Sequence, residues 1–460
     1  MSEKKELIRD LTNGSVPKTL LNFAMPLFLS GLLQTVYNMV DMVIVGRVVG
    51  PEGLAAVSIG GELLMLLTFV AMGFSNAGQI IISRYVGEGR RDRVGMMVAT
   101  LFTLLMSCAV ILMVVFLFAH KFMLNWINTP PESYTMARDY IMTCICGLVF
   151  IYGYNLVSAI LRGMGDSRHP FMFIAIASVI NLILDLVFVA GMRMGPFGAA
   201  LGTVIGQAAS FIFALNLLYK NRESINFDFK LKNFRIYKQV IRPLLSLGIP
   251  MVIQSAAINF SMLYVNAYIN TYGVSAVAVT GIARNLERVI NIVSQAVSSA
   301  GGAMISQALG AGKINRVPKV VYTAFFVVLV PACIMAVITI FHPEWLFGLF
   351  TDSAEVMALA MTYIPIALIQ YAGATVRPAS FALINGSGNS KLNLTVALLD
   401  GIICRIGFAL LLGVWLGWGI RGFWYGNAFA GLAPSIVGGI YLVSGTWKKY
   451  ASKAEDIQRS

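Results

Sequence analysis

Charged side chains are scarce in this sequence. Asp, Glu, Lys and Arg make up only 12% of its 460 residues, while 58% are hydrophobic, and the mean hydropathy is +0.77. So much apolar surface cannot be buried in the core of one water-soluble domain. The composition therefore excludes a soluble protein and predicts an integral membrane protein.

Histidine and cysteine are also few, which argues against several kinds of reactive site. The three histidines lie near predicted loops, apart from any serine or metal-ligand cluster, and the five cysteines are odd in number and lack metal-ligand spacing. The phosphate-binding pattern G-x-x-x-x-G-K-[ST] does not occur. We expect no enzyme active site, no metal centre, no bound cofactor and no ATP-driven motor.

Long apolar runs are what the sequence has instead. Each is about 20 residues or longer, enough to cross a hydrocarbon core of roughly 30 Å as a helix. The predicted class is an all-α membrane protein with twelve transmembrane helices. These are expected at residues 18–43, 53–80, 94–119, 136–160, 170–192, 198–219, 243–269, 275–302, 318–341, 357–382, 392–413 and 420–446.

The net charge of +13 is unevenly distributed among the loops. On an alternation that starts inside, the internal loops are the basic ones, above all residues 83–93 and 220–242. This is the positive-inside pattern, so we expect both termini in the cytoplasm and a location in the plasma (inner) membrane. Because no aromatic residues interleave with these cations as a stacking platform, a nucleic-acid partner is not expected. The external loops hold Arg47, Lys121, Arg138, Arg193 and Arg421.

The chain contains an internal repeat. ISRYVGEGRRDRV (Ile82–Val94) recurs 223 residues later as ISQALGAGKINRV (Ile305–Val317), and RGMGDSR pairs with NGSGNSK at the same offset. Glycines in these loops permit tight turns. We predict two pseudo-symmetric six-helix lobes, with a substrate path between them. The predicted bounds are residues 1–219 for the N-terminal lobe, 220–242 for a basic cytoplasmic linker and 243–460 for the C-terminal lobe.

Two acids, Asp41 and Asp185, interrupt apolar helices in the N-terminal half. Asp185 lies in VINLILDLVFV, four residues after Asn181 and on the same helix face. A charge at a helix centre costs roughly 2.5–3.5 kcal/mol on insertion scales, so both acids should face a polar interior. Two neighbouring carboxylates repel when both are ionised, so such a pair can load and release a proton. A purely structural role, hydrogen bonding to neighbouring helices, is the alternative. The first predicted helix has its own polar stripe of Gln34, Tyr37, Asn38 and Asp41.

The order and spacing of four segments resemble the MATE family of multidrug and toxic compound extrusion transporters. The segments are MPLFLSGLLQTVYNMVDMVIVGRVVG, ISRYVGEG, ILRGMGDSRHP and INLILDLVFV. They are most similar to the DNA-damage-inducible and archaeal-type branch. The resemblance implies a secondary antiporter that exports amphipathic, cationic compounds in exchange for H⁺, or for Na⁺. A lipid or lipid-linked oligosaccharide flippase of the same superfamily is the alternative. The implied coupling residues are Asp41, Asn181, Asp185 and Thr203, joined by Tyr140.

In the C-terminal half the sequence departs from another branch of that family. That branch has acids in the seventh and tenth helices, where this chain offers Gln254, Asn259, Gln370 and Gly373. Coupling is therefore not expected there. Glu287 is open to two interpretations: an ion pair with Arg284 or Arg288 at helical spacing, or a contact to substrate. The candidate substrate cavity comprises Gln34, Tyr37, Asn38, Gln254, Asn259, Arg284 and Glu287.

Two further expectations concern the mechanism. Pro26 in the first helix is either a hinge that links Asp41 to cavity shape or a static kink. The apolar neighbours of Asp185 favour its neutral form, so H⁺ is expected in preference to Na⁺ as the coupling ion. The expected partners are small organic molecules and the lipid bilayer, and the protein is expected to be a monomer.

Overall fold

The computed structural model describes residues 7–452, and within them the chain is helical without strands. Eleven helices are long and apolar enough to cross a membrane, and a bent helix pair makes a twelfth span. In chain order they are α1 Val16–Val48, α2 Pro51–Gly87, α3 Arg91–Trp126, α4 (Pro131–Cys146 and Leu148–Gly163), α5 Arg168–Gly191, α6 Gly195–Lys220, α7 Lys238–Asn270, α8 Val274–Gly310, α9 Arg316–Phe341, α10 Ala354–Ser387, α11 Ser390–Trp415 and α12 Gly419–Ser444.

The helices expose large apolar side chains along their outer surfaces. Phe118 is 84% exposed, Trp415 82% and Val443 88%. In water such a surface would be unfavourable, whereas lipid tails are as apolar as these side chains. The predicted all-α class is confirmed, with eleven spans, or twelve when the bent pair counts as one, where twelve were predicted, and the chain is a multi-pass membrane protein.

One predicted helix differs in shape from the expectation. Residues 136–160 were expected to form one span, but α4 consists of two helices that meet at an angle of 51° on either side of Gly147. A Cβ at Gly147 would overlap the Val204 side chain of α6. The glycine therefore lets α6 approach closely at the point where α4 bends.

The chain divides into two compact units. The first comprises Met25–Val86 and Arg90–Gly248, together with the described residues up to Arg9. The second comprises Asp10–Ala24, Gly87–Gly89 and the chain from Ile249 onward. The start of α1 thus packs with the second unit and the rest of it with the first. The lobe bounds predicted from the repeat stay a prediction.

The internal repeat is visible in the backbone. Gly89 has φ +75° and its repeat partner Gly312 has φ +68°, a left-handed conformation that costs glycine little. This confirms the tight turns expected in the two related loops. Three more glycine pairs at the same offset of 223 or 224 residues share a positive φ: Gly50 and Gly273, Gly165 and Gly388, and Gly195 and Gly419.

Candidate functional site

A buried polar cluster lies inside the first unit, where α1, α5 and α6 supply one or two side chains each. Asp41 from α1 is 9% exposed, and Asn181 from α5 is 3% exposed. In the amide orientation that satisfies both of its ends, Asn181 donates from Nδ2 to Asp41 Oδ1 at 3.0 Å. Its oxygen then accepts from the backbone N–H of Thr203 at 3.2 Å. Asn181 therefore joins the first helix to the sixth.

Asp185 is the most deeply buried member of this cluster. Its side chain is fully buried, and neither carboxylate oxygen has a hydrogen-bond partner in the described part of the chain. Its direct neighbour is the carboxyl group of Asp41. An ionised carboxylate is only an acceptor, so two of them cannot hydrogen-bond to each other unless one carries a proton. The geometry therefore suits a pair of acids that shares one proton.

A glycine stripe on α6 allows this close packing. A Cβ at Gly202 would lie 2.7 Å from Asp185 Oδ1, and one at Gly206 would lie 3.0 Å from the carbonyl oxygen of Ala177. Small residues spaced four apart let two membrane helices approach closely. Immediately after Asp185 the helix widens into a π-helical turn, Leu186–Gly191. Such turns are frequent at functional sites.

The other residues predicted around the acids are only partly brought together. Tyr140 is buried, and its ring lies over Gly60 of α2. Asp41, Asp185 and Tyr37 all lie within electrostatic range of the Tyr140 hydroxyl. Tyr37 is hydrogen-bonded to Gln34 at the edge of the cluster. The remaining member of the predicted stripe, Asn38, has an exposed side chain.

A second buried polar cluster lies inside the second unit. Asp400 of α11 is fully buried and forms two ion pairs, to Arg405 at 2.9 Å and to Arg377 of α10 at 2.5 Å. Arg405 is only 2% exposed and also donates to Asn427 of α12. Asp400 is the second residue of a π-helical turn, Leu399–Cys404. One acid thus holds two arginines from two helices.

Of the predicted C-terminal cavity residues, Glu287 lies near this second cluster. Glu287 is hydrogen-bonded to Asn291 and lies within electrostatic range of Arg377, Arg405 and Arg284. Two arginines of the second cluster, Arg377 and Arg405, are therefore among its cationic neighbours, besides Arg284 at helical spacing. Asn259 donates to its own helix, to the Ser255 carbonyl at 2.8 Å. The Gln254 amide nitrogen is buried without a partner among the described residues.

Sequence reasoning missed two features of these sites. The role of Gly202 was available from the sequence, because Gly198, Gly202 and Gly206 repeat every four residues in GPFGAALGTVIGQ. The pairing of Asp400 with Arg377 was not, because 23 residues separate them and their helices meet only in the folded chain.

Comparisons with known proteins agree on one family. The family model described as MatE matches residues 26–187 and 250–411. Among curated proteins, the probable multidrug resistance protein YpnP of Bacillus subtilis (strain 168) is 26% identical over 95% of this chain and 97% of its own length. The multidrug export protein MepA of Staphylococcus aureus (strain bovine RF122 / ET3-1) is 20% identical over 87% of this chain and 88% of its own length.

Solved structures show the same fold. A MATE protein in its bent conformation superposes with a TM-score of 0.87 at 21% identity, covering 98% of this chain and 100% of that one. A transporter of the MOP superfamily from Pyrococcus furiosus also gives a TM-score of 0.87 at 21% identity, over 99% of this chain and 100% of that chain. It is described as having a binding pocket of reverse polarity that suggests a different function.

Proposed function

The chain belongs to the MatE family, whose members are transporters and not enzymes, and on that premise we propose that it exports amphipathic, cationic compounds in exchange for protons. The names of the curated relatives, multidrug resistance and multidrug export proteins, support the efflux part of the proposal. The proposed coupling ion rests on this chain's own residues. The candidate substrate residues named from the sequence stay a prediction: Gln34, Tyr37 and Asn38 in the first unit, and Gln254, Asn259, Arg284 and Glu287 in the second.

The observation that carries the proposal is the burial of Asp185 beside Asp41. Without a hydrogen-bond donor, an ionised Asp185 would be left uncompensated in a membrane helix, which is costly. A protonated Asp185 can donate to the Asp41 carboxylate, and that arrangement satisfies both acids. Release of the proton leaves two negative carboxylates, and their repulsion drives them apart. Protonation can therefore bias the position of α1 relative to α5 within this unit.

The same geometry favours a proton over sodium. A bound sodium ion needs several oxygen ligands at once, whereas a proton needs one basic oxygen. The oxygen of Asn181 accepts from the Thr203 backbone N–H, so its nitrogen faces Asp41. The Thr203 hydroxyl donates to the Ala199 carbonyl at 3.0 Å. For its oxygen to bind a sodium ion beside Asp41, the Asn181 amide would have to turn over.

Pro26 is a suitable hinge for α1. Proline removes one helical hydrogen bond, which makes a bend at that point less costly. The chain passes from the second unit to the first between Ala24 and Met25, immediately before this proline. Solved MATE structures include one described as bent and one described as straight. We propose that bending at Pro26 converts the protonation state of Asp41 into a change of substrate affinity.

The flippase alternative has less support. Holding a pyrophosphate group requires several cations that are free to bind it, but Asp400 already pairs with Arg377 and Arg405.

In everted membrane vesicles energised with a proton gradient, a fluorescent lipophilic cation should accumulate inside and release protons from the lumen. Translocation of a fluorescent lipid, without any movement of the cation, would favour the flippase instead.

A change at Gly202 should weaken coupling without removing a titratable group. In a Gly202→Ala protein the new methyl group would lie 2.7 Å from Asp185 Oδ1, so the carboxyl group or α6 must shift. We expect proton-coupled export to fall severalfold while the protein still inserts. Gly61→Ala in α2 is the matched control, because a Cβ there meets nothing within 4 Å. Equal export by the two variants would contradict the proposed geometry.

The orientation of the chain is proposed from its charge distribution and can be tested by labelling. In a cysteine-free background, single cysteines in the 220–242 segment should react with a membrane-impermeant maleimide only from the cytoplasmic side. Cysteines beside Lys121 or Arg421 should react only from outside. The reverse labelling would overturn the in–out alternation.

A further inference from the structure

The segment that joins α6 to α7 is folded, although its composition indicated only a basic linker. Four phenylalanines pack edge to face, with ring centroids 4.9–6.1 Å apart. Three of them, Phe227, Phe229 and Phe234, belong to this segment, and the fourth, Phe102, belongs to α3. Such pairs are favourable beyond the area they bury. We name residues 220–242, folded in this way, the linker cap.

The linker cap is also fixed to α3 through its backbone. The Asn226 carbonyl lies where a Cβ of Gly95 would be, so the glycine permits direct contact between the two chain segments. The Tyr237 backbone N–H donates to the Thr100 hydroxyl at 3.1 Å. Ile225 is fully buried. The backbone of the linker cap is therefore held in place against α3.

The surface of the linker cap is cationic. It holds seven basic residues, all exposed, against two acids. One cation, Lys230, is paired with Asp228 at 2.8 Å. Two others lie over tyrosine rings: Arg222 over Tyr219 at the end of α6, at 5.0 Å, and Arg235 over Tyr237 of the linker cap, at 4.7 Å. The exposed cations are Lys220, Arg222, Lys230, Lys232, Arg235, Lys238 and Arg242.

The position of the linker cap decides which anions it meets. Both of its ends are the ends of membrane-spanning helices, α6 and α7, so it lies at the surface of the bilayer. Ile236 and Tyr219 are 50% and 51% exposed among the cations, as expected of side chains at a lipid interface. Clusters of four to eight Lys and Arg directly beside a membrane helix attract anionic lipid.

We propose that the linker cap is a binding site for anionic phospholipid, with the headgroup phosphate held by Lys232, Arg235 and Lys238, the cations that flank Phe234 and Tyr237 where these contact α3. The folded phenylalanine core fixes the backbone from which these cations extend, so less conformational entropy is lost on binding than from an unfolded segment. An unfolded basic tether would attract the same lipids only diffusely. The inference is independent of the transported compound and of the coupling ion.

Native mass spectrometry of the purified full-length chain can test this site. Phosphatidylglycerol should remain bound at energies that remove phosphatidylcholine. In the K232Q/R235Q/K238Q variant, the affinity for phosphatidylglycerol should fall by at least about tenfold, because each basic residue near an anionic surface adds to the attraction. The charge-preserving variant K232R/R235K/K238R should keep most of the binding.

The control variant is K121Q/R193Q/R421Q. It removes the same charge from three exposed positions outside the linker cap and should bind the lipid as the unmodified chain does. Equal loss in both neutralised variants would show diffuse attraction and would overturn the proposal. Competition by inorganic phosphate at the concentration of the lipid would also overturn it, since it would show a site for free anions. Unchanged melting temperatures establish that the variants are folded.

Discussion

Replacing Asp185 with asparagine should abolish drug-driven proton exchange while leaving membrane insertion unchanged. Asparagine has nearly the volume of aspartate but cannot take up or release a proton, so only the titratable group is lost. Its amide can donate to Asp41, which satisfies the buried pair permanently. In everted vesicles, adding a transported cation should then produce no proton movement beyond that of vesicles without the transporter.

Asp41→Asn should have the same consequence, because either substitution breaks the proton-sharing pair. The double variant should be no worse than either single variant, since residues that act as one unit are not additive. Glu132→Gln is the control: Glu132 is an exposed acid in the first turn of α4, outside both clusters. Full coupled exchange by either aspartate variant would contradict the two-carboxylate mechanism.

Asp400→Asn should have the largest effect on stability. It removes the negative charge that faces two arginines, and one of them, Arg405, is only 2% exposed. Breaking a buried ion pair by removing one partner typically costs about 3–5 kcal/mol, because the remaining charge is left uncompensated. We expect a sharply lower melting temperature in detergent and a lower yield of monodisperse protein.

A double substitution tests whether the loss of stability comes from the charges left unpaired. Asp400→Leu combined with Arg405→Met removes both buried charges, and the remaining Arg377 is 26% exposed and can reach a polar environment. This double variant should be more stable than Asp400→Asn alone. If Asp400→Asn melts at the temperature of the unmodified protein, the cluster does not stabilise the second unit.

The sequence predicted the features that are local in the chain. Apolar run length predicts the spans, and helical spacing predicts that Asn181 and Asp185 share a face. The repeat offset located glycines whose positive φ values match in pairs. Each of these depends on residues that are neighbours along the helix or on direct comparison of two segments.

Contacts between distant helices were beyond sequence reasoning. The bend at Gly147 depends on the Val204 side chain of α6, and the linker cap depends on Phe102 of α3. Neither contact has a signal within its own segment. The same holds for the contact between Asp41 and Asp185, which the resemblance to a family implied and the periodicity of either helix alone did not.

Whether the buried Asp41 and Asp185 pair carries protons can be decided by reconstitution. Purified protein in proteoliposomes is given an outwardly or inwardly directed pH gradient in sodium-free buffer, and uptake of a fluorescent organic cation is followed with and without a protonophore. We expect uptake that follows the pH gradient, collapses with the protonophore and is absent in the Asp185→Asn protein. Uptake that requires a sodium gradient and ignores the pH gradient would contradict this expectation.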